Sequence, residues 1–258
     1  MKKLTAIKHF FINPIRELIP PLLWRFLRHK FGRPILYENV DYQGVTTLHN
    51  MKCLHEGRFS DLYERYRTLN PYNSEHVTRL RIYTACMFAD FAKSVPGDFL
   101  SAGISYGVAP HIIYDFVDFP LLCKVFHFID PFTGVNNPAD GFGYEYNKDI
   151  NYVMNQYPLD APIKFHKDLI PDCFPVSGLD SLAFVHLNVT HPESEAASLN
   201  YLYEMLSPGG FILIDYFNFG KGQYELFDAV SQQLGIIIYG SVTGQGIIHK
   251  PFDLKRSK

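Results

Sequence analysis

Two spacings of apolar residues share this chain. From Arg58 to Val95 they recur every three or four positions, first in "RFSDLYERYRTL" and then in "SEHVTRLRIYTACMFADFAKSV", which predicts a pair of helices. Asn73 or Ser74 offers N-cap chemistry to the second, and Glu75 suits its first turn. Farther on, short apolar runs take turns with helical segments. "GDFLSAGI", "KVFHFID", "IKFHKDL", "LAFVHLNV" and "GGFILIDYF" read as strands, whereas "GVAPHIIYDFVDF", "DINYVMNQYP", "ESEAASLNYLYEML" and "GQYELFDAVSQQLG" read as helices. Strands and helices in turn predict an α/β fold, a mostly parallel sheet covered on both faces. The last pair, "IIIYG" and "GIIHKP", is joined by "SVTGQ" and adds an antiparallel edge.

Composition narrows the class. At 258 residues with 47% apolar content the chain can bury a core. Its 22 Phe and 17 Tyr predict ring-lined pockets, although most rings serve the core. A net charge of -2 argues against a protein that coats nucleic acid. Cys53, Cys86, Cys123 and Cys173 have no metal-ligand spacing and read as reduced thiols of a cytoplasmic protein.

The first segment differs. Between Met1 and Pro34 stand eight Lys/Arg against one Glu, interleaved with "FFINPI" and "LIPPLLWRFL". No apolar run reaches the roughly 20 residues needed to span a bilayer, and Pro20-Pro21 breaks a helix there. A signal-peptide core with a cleavage site is also missing. Two readings remain for residues 1–34: a peripheral contact with an anionic membrane face through Trp24 and Phe26, or an arm packed on the main domain or on a second copy in a homo-oligomer. The organisation expected is a basic, helical extension over 1–75 and a main domain over 76–258.

Chemistry gathers at the ends of the strands. "SAGISYG" puts Gly103 and Gly107 where a strand meets a helix, so bare backbone and helix N–H groups face a ligand. The G-x-x-x-G spacing is not the G-x-G-x-x-G of a dinucleotide site. One strand later "FHFIDPFTG" places Asp130 where a carboxylate accepts hydrogen bonds from ribose hydroxyls, with Phe132 available to stack on a base. Each has a plainer reading, a turn glycine or a loop-capping acid. Together they point to a nucleoside ligand.

The set "GDFLSAGISYG", "FIDPFTG", "FVHLNVTHPE", "LSPGGFILIDYF" and "TGQGIIHKP", in this order, resembles the class I S-adenosylmethionine-dependent methyltransferases and most of all the macrocin-type sugar O-methyltransferases. The likeness runs from about Arg79 to Pro251. It implies a Rossmann-like, doubly wound sheet of seven strands and S-adenosyl-L-methionine as cofactor. Its cradle would be Gly103 and Gly107 with Ser101, Ala102, Ser105 and Tyr106, its ribose acceptor Asp130. Asp168, in "FHKDLIPDCFP", would reach the adenine amine or stand as a solvated loop acid.

The family holds a divalent cation with acidic pairs, D-x-D and D-D-Y, at the ends of its fourth and fifth strands. Here those positions are Asn188, Thr190, Asp215 and Tyr216, and the acid that precedes the glycine turn is Ser101. Neutral ligands offset little of the dehydration cost of a hard cation, so no metal is expected. A base must then take the acceptor's proton, and His191, just past the strand, suits neutral pH. Asp215 would orient His191 or, with Asn188, the acceptor; Phe132, Tyr216 and Phe217 would form its wall. His186 would point into strand–helix packing, and His249 would lie on the surface of the edge strand. The resemblance implies an O-methyltransferase acting on a sugar or glycan hydroxyl, with a small-molecule or glycan acceptor and a place in the cytoplasm or at the inner face of the membrane. Ser101 and the missing acids leave open a second reading, a methyltransferase fold that binds or scaffolds without catalysis.

Overall fold

The computed structural model describes residues 40–42, 45–47, 51–70, 79–133, 149–176, 178–218 and 222–252. The N-cap residues expected at Asn73 or Ser74 and the basic segment 1–34 lie outside them. Two compact units are present, Met1–Asn50 and Met51–Lys258. In the first, β1 (Val40–Tyr42) and β2 (Val45–Thr47) form an antiparallel hairpin that the sequence pattern did not suggest.

The second unit opens with α1 (Lys52–His55), α2 (Arg58–Tyr66) and α3 (Arg79–Phe91). There follow β3 (Asp98–Ala102), α4 (Val108–Phe116), β4 (Phe126–Ile129), α5 (Ile150–Met154), β5 (Ile163–His166), β6 (Leu182–Leu187), α6 (Pro192–Met205), β7 (Leu206–Ile214), α7 (Gln223–Leu234), β8 (Tyr239–Gly240) and β9 (Gly246–His249). α2 belongs to this unit rather than to an extension ending at residue 75. Arg58 Nη1 donates to Asp118 Oδ2 at 2.8 Å and Tyr66 OH to Asp115 Oδ2 at 2.5 Å, tying α2 to α4 and the turn after it. No helix among the described residues is long and apolar enough to cross a membrane.

The seven strands lie in the order β5-β4-β3-β6-β7-β9-β8, parallel from β5 to β7, with β9 antiparallel to both β7 and β8. The chain winds outward from β3 to β5 and then returns to the other side of β3. β3 and β6 are therefore neighbours whose continuations diverge, and a crevice opens at their carboxyl ends.

The two faces of the sheet differ in kind. Phe126 and Phe128 of "FHFI" sit at alternate positions, and register brings Phe99 of "DFLSA" and Phe184 of "LAFVHL" to the same face. In register, Phe126, Phe99, Phe184 and Phe211 cross four strands as one row. Ring centroids stand 5.7 Å apart for Phe99 and Phe126 and 5.3 Å apart for Phe99 and Phe184. His249 extends the row, stacked on Phe211 at 4.8 Å and half-buried rather than lying on the surface. The opposite face is mainly aliphatic: Leu100, Ile129, Val185, Leu187 and Ile212 pack with Leu199 and Leu202 of α6 and Phe227 of α7.

The loop after β6 is secured from below by Glu195, in the first turn of α6. This side chain is fully buried; its Oε1 accepts from Val189 N at 2.9 Å, and its Oε2 has no partner among the described residues. Burial pushes its carboxyl up to about 8, against the pull of the Val189 N–H, with the negative Asp215 adding to the rise. Folding therefore takes up a proton between the ordinary value of 4.5 and about 8, and stability falls as pH rises through that window. Glu195→Gln, which keeps the Val189 bond and cannot ionise, is expected to flatten this decline. Urea midpoints of both proteins at pH 5 and pH 8 check it: the wild type should lose more between the two than the variant does.

Candidate active site

Local backbone geometry builds the crevice from both sides. Gly103 has φ +82°, and a Cβ there would lie 2.0 Å from Asn188 O, so only glycine lets the end of β3 pass the end of β6. Gly107, at φ +85°, is the N-cap residue of α4. Three residues with side chains also hold positive φ at this edge: Ser105 (49°), Phe132 (47°) and Thr190 (60°). Such strain gathers where a structure must hold loops in a fixed shape for a ligand.

Asp130 joins two of these loops. Its Oδ2 accepts from Ser105 N at 2.9 Å and its Oδ1 from Phe132 N at 2.8 Å. Burial raises its carboxyl above the ordinary value, and the N–H groups of Ser105, Phe132 and Ile104 oppose the rise. The carboxylate still has acceptor capacity beyond these backbone N–H groups, which suits it to a ribose hydroxyl. On the other side of the turn, Gln156 Nε2 donates to the Tyr106 carbonyl at 3.2 Å while its Oε1 is buried with no hydrogen-bond partner among the described residues, 2.9 Å from where a Gly107 Cβ would be. A carboxylate with spare lone pairs and an orphan acceptor fit a nucleoside that carries hydroxyl and ammonium donors.

Other residues expected here lie elsewhere. Ser101 and Ala102 are buried inside β3, so their side chains face the two sheet faces and not the crevice. Phe132 and Phe217 are 2% and 3% exposed, and their rings belong to the core instead of an open wall. Of the three aromatic residues expected there, Tyr216 alone is half-exposed. Asp168 is an exposed loop acid whose Oδ1 accepts from the adjacent Leu169 N at 2.8 Å. Asn188 and Thr190 stand half-buried on the lip.

His191 and Asp215 do not meet. His191 is exposed and is the N-cap residue of α6: its Nδ1 lies 3.4 Å from Ser194 N, 3.1 Å from Ser194 Oγ and 3.5 Å from Glu193 Oε2. Asp215 is buried and pairs instead with His186, whose Nε2 lies 3.2 Å from Asp215 Oδ1. The register explains the exchange. One step toward the carboxyl edge from the Phe row, the same face carries Ser101 and His186 side by side, and the Ser101 Oγ to His186 Nδ1 distance is 3.4 Å. Gln245 closes the chain, donating from Nε2 to Asp215 Oδ1 at 2.7 Å, and itself accepts from Thr243 Oγ1 at 2.7 Å. Burial raises the Asp215 carboxyl, but the imidazole of His186, the charge of Arg81 and the Gln245 amide together hold it below its ordinary value.

Sequence reading passed over His186, Gln245, Glu195 and Arg81 as site residues. Gln245 lies in the quoted "TGQG", but nothing in the sequence indicates that its amide reaches Asp215. Arg81 sits in a helical pattern that carries no mark of a site.

The comparisons agree on one fold. No curated protein matches the sequence. Among solved structures, the O-methyltransferase NovP has 18% identity and a TM-score of 0.56, over 66% of this chain and 79% of that one. TomG, an O-methyltransferase of Streptomyces achromogenes solved with S-adenosylmethionine, has 10% identity and a TM-score of 0.51, over 78% and 94%. The S-adenosylhomocysteine-bound methyltransferase PaMTH1 of Podospora anserina has 15% identity and a TM-score of 0.50, over 74% and 87%. At these identities the likeness establishes the architecture. The family model described as macrocin-O-methyltransferase (TylF) matches residues 74–236, well over half the chain, and the protein belongs to that family of S-adenosylmethionine-dependent O-methyltransferases.

Proposed function

We propose that the protein methylates a hydroxyl of a sugar or glycan, without a divalent cation and with His191 as proton acceptor. The lip carries this reading. Asn188, Thr190, Tyr216 and His191, half-buried or exposed, line the ends of β6 and β7 with amide, hydroxyl and imidazole groups, which suits a polyhydroxyl acceptor better than an apolar one. S-adenosylmethionine, when bound, supplies an electrophilic methyl group. Asp130 and the 103–107 turn would hold it, and the chain's other task is to place an acceptor oxygen and remove its proton.

The donor set fits a cation poorly. Asn188, Thr190 and Tyr216 bring no carboxylate, and Asp215 is already engaged by His186 and Gln245. At His191 two tautomers are compatible with the contacts. With the proton on Nε2, Nδ1 caps Ser194 N across a long 3.4 Å. With the proton on Nδ1, shared with Ser194 Oγ and Glu193, the Nε2 lone pair is unengaged and can take the acceptor's proton.

Three measurements check the reading. In calorimetry the wild type should bind S-adenosylmethionine, and Asp130→Ala should weaken that binding by about tenfold or more, the scale of lost hydrogen bonds to a charged acceptor; equal affinity would remove Asp130 from the site. In methyl transfer to a panel of sugars, EDTA should leave turnover unchanged; a loss that magnesium reverses would show that the lip binds a metal after all. His191→Asn keeps a good helix cap and removes the base, so it should fold with an unchanged melting temperature and lose about 100-fold in kcat. Full activity in that variant would place the base elsewhere.

A further inference from the structure

Arg81 stands at the head of α3, where the helix meets the carboxyl edge of the sheet. Gln245 Nε2 locates it: the amide that donates to Asp215 also lies 3.3 Å from the Arg81 carbonyl. The guanidinium lies over the Tyr216 ring, with Cζ 5.0 Å from the centroid. Only 7% of the residue is exposed, its Nε is buried without a hydrogen-bond partner, and it forms no ion pair among the described residues. Asp215, the nearby acid, is bonded to His186 and Gln245 and feels Arg81 only through its field. A guanidinium largely withdrawn from water, with Nε lacking a hydrogen-bond partner among the described residues, is costly, and buried charges are ordinarily matched by a directly bonded partner. Here the position most in need of an anion is at the lip, beside the half-exposed Tyr216.

We propose that Arg81 is a specificity-determining residue that pairs with an anionic oxygen group, a carboxylate or a phosphate, carried by the acceptor sugar. The inference rests on the sugar-acceptor reading and deepens it: the acceptor is an acidic sugar, not a neutral one. Planar, paired N–H donors make arginine suited to both groups. The ring of Tyr216 bounds the guanidinium on one side, which limits the directions open to its remaining donors before the acceptor arrives. Asp215 takes its hydrogen bond from Gln245 and lies 3.2 Å from His186 Nε2, so it acts on Arg81 through its field and leaves the guanidinium donors to another partner.

The test uses the full chain loaded with S-adenosylhomocysteine, titrated calorimetrically with glucose, glucuronate, glucose 1-phosphate and inorganic phosphate. One or both acidic sugars should bind at least about tenfold more tightly than glucose, the scale of a charge-assisted hydrogen bond. Whichever binds more tightly identifies the anion, and inorganic phosphate alone reports the contribution of the group without the sugar. Arg81→Met should bring the acidic sugars to the affinity of glucose and leave the affinity for S-adenosylhomocysteine unchanged, while Arg81→Lys keeps part of the preference. Should Arg81→Met fail to fold, Arg81→Gln, which keeps a polar side chain of similar reach without the charge, provides the same readout. Equal binding of glucose and both acidic sugars, or an acid preference that survives undiminished in the uncharged Arg81 variant, overturns the inference. Loss of nucleoside binding in the wild type would instead strike at the methyltransferase site, and so the two failures are separate.

Discussion

Backbone meets backbone where β3 and β6 diverge, and the site depends on that contact. Gly103 leaves so little room beside the Asn188 carbonyl that a single methyl group would overlap it. Because the strands come this close, Asn188 N can donate to Ala102 O at 2.9 Å, and the loop that follows starts from a fixed point. Gly103 N in turn donates to Ile129 O at 3.0 Å, and Asp130 N to His166 O at 3.1 Å. The lip of the crevice is thus an extension of the sheet, as rigid as the ladder that feeds it.

Polar residues within the core continue the same order. Ser101, His186, Asp215 and Gln245 cross from β3 to the start of β9 as one hydrogen-bonded chain, sited one residue pair beyond the row of phenylalanines. Burying a carboxylate at this place is tolerable because each neighbour along the chain is a donor. The chain also fixes what the lip can do. Asp215 is committed inward, and the side chains that stand half-buried or exposed at the outer edge are those of Asn188, Thr190, His191 and Tyr216.

Much of the architecture was readable because it follows from periods. Short apolar runs such as "DFLSA" and "LAFVHL" mark buried strands, and "ESEAASLNYLYEML" repeats at helical spacing along α6. Where strands are short the signal fails. The three-residue strands of the 40–47 hairpin carry too few positions to show alternation, and in "IIIYG" only Tyr239 and Gly240 pair with β9, leaving the preceding isoleucines outside the ladder. Likewise β7 begins at Leu206, taking in the Pro and Gly of "LSPGG", which by themselves read as a turn.

The sequence by itself determined the α/β class, the glycine turn and the acid one strand later, since each depends on residue type and on neighbours close along the chain. Only the tertiary structure decided which side chains meet. His186 rather than His191 found Asp215 because register, set by packing across the whole sheet, turns alternate residues of β6 to opposite faces, while His191 lies beyond the strand at a helix end. Arg81 and Gln245, 164 positions apart in the chain, became neighbours for the same reason: the chain winds through the parallel strands before the approach to β9 closes against α3.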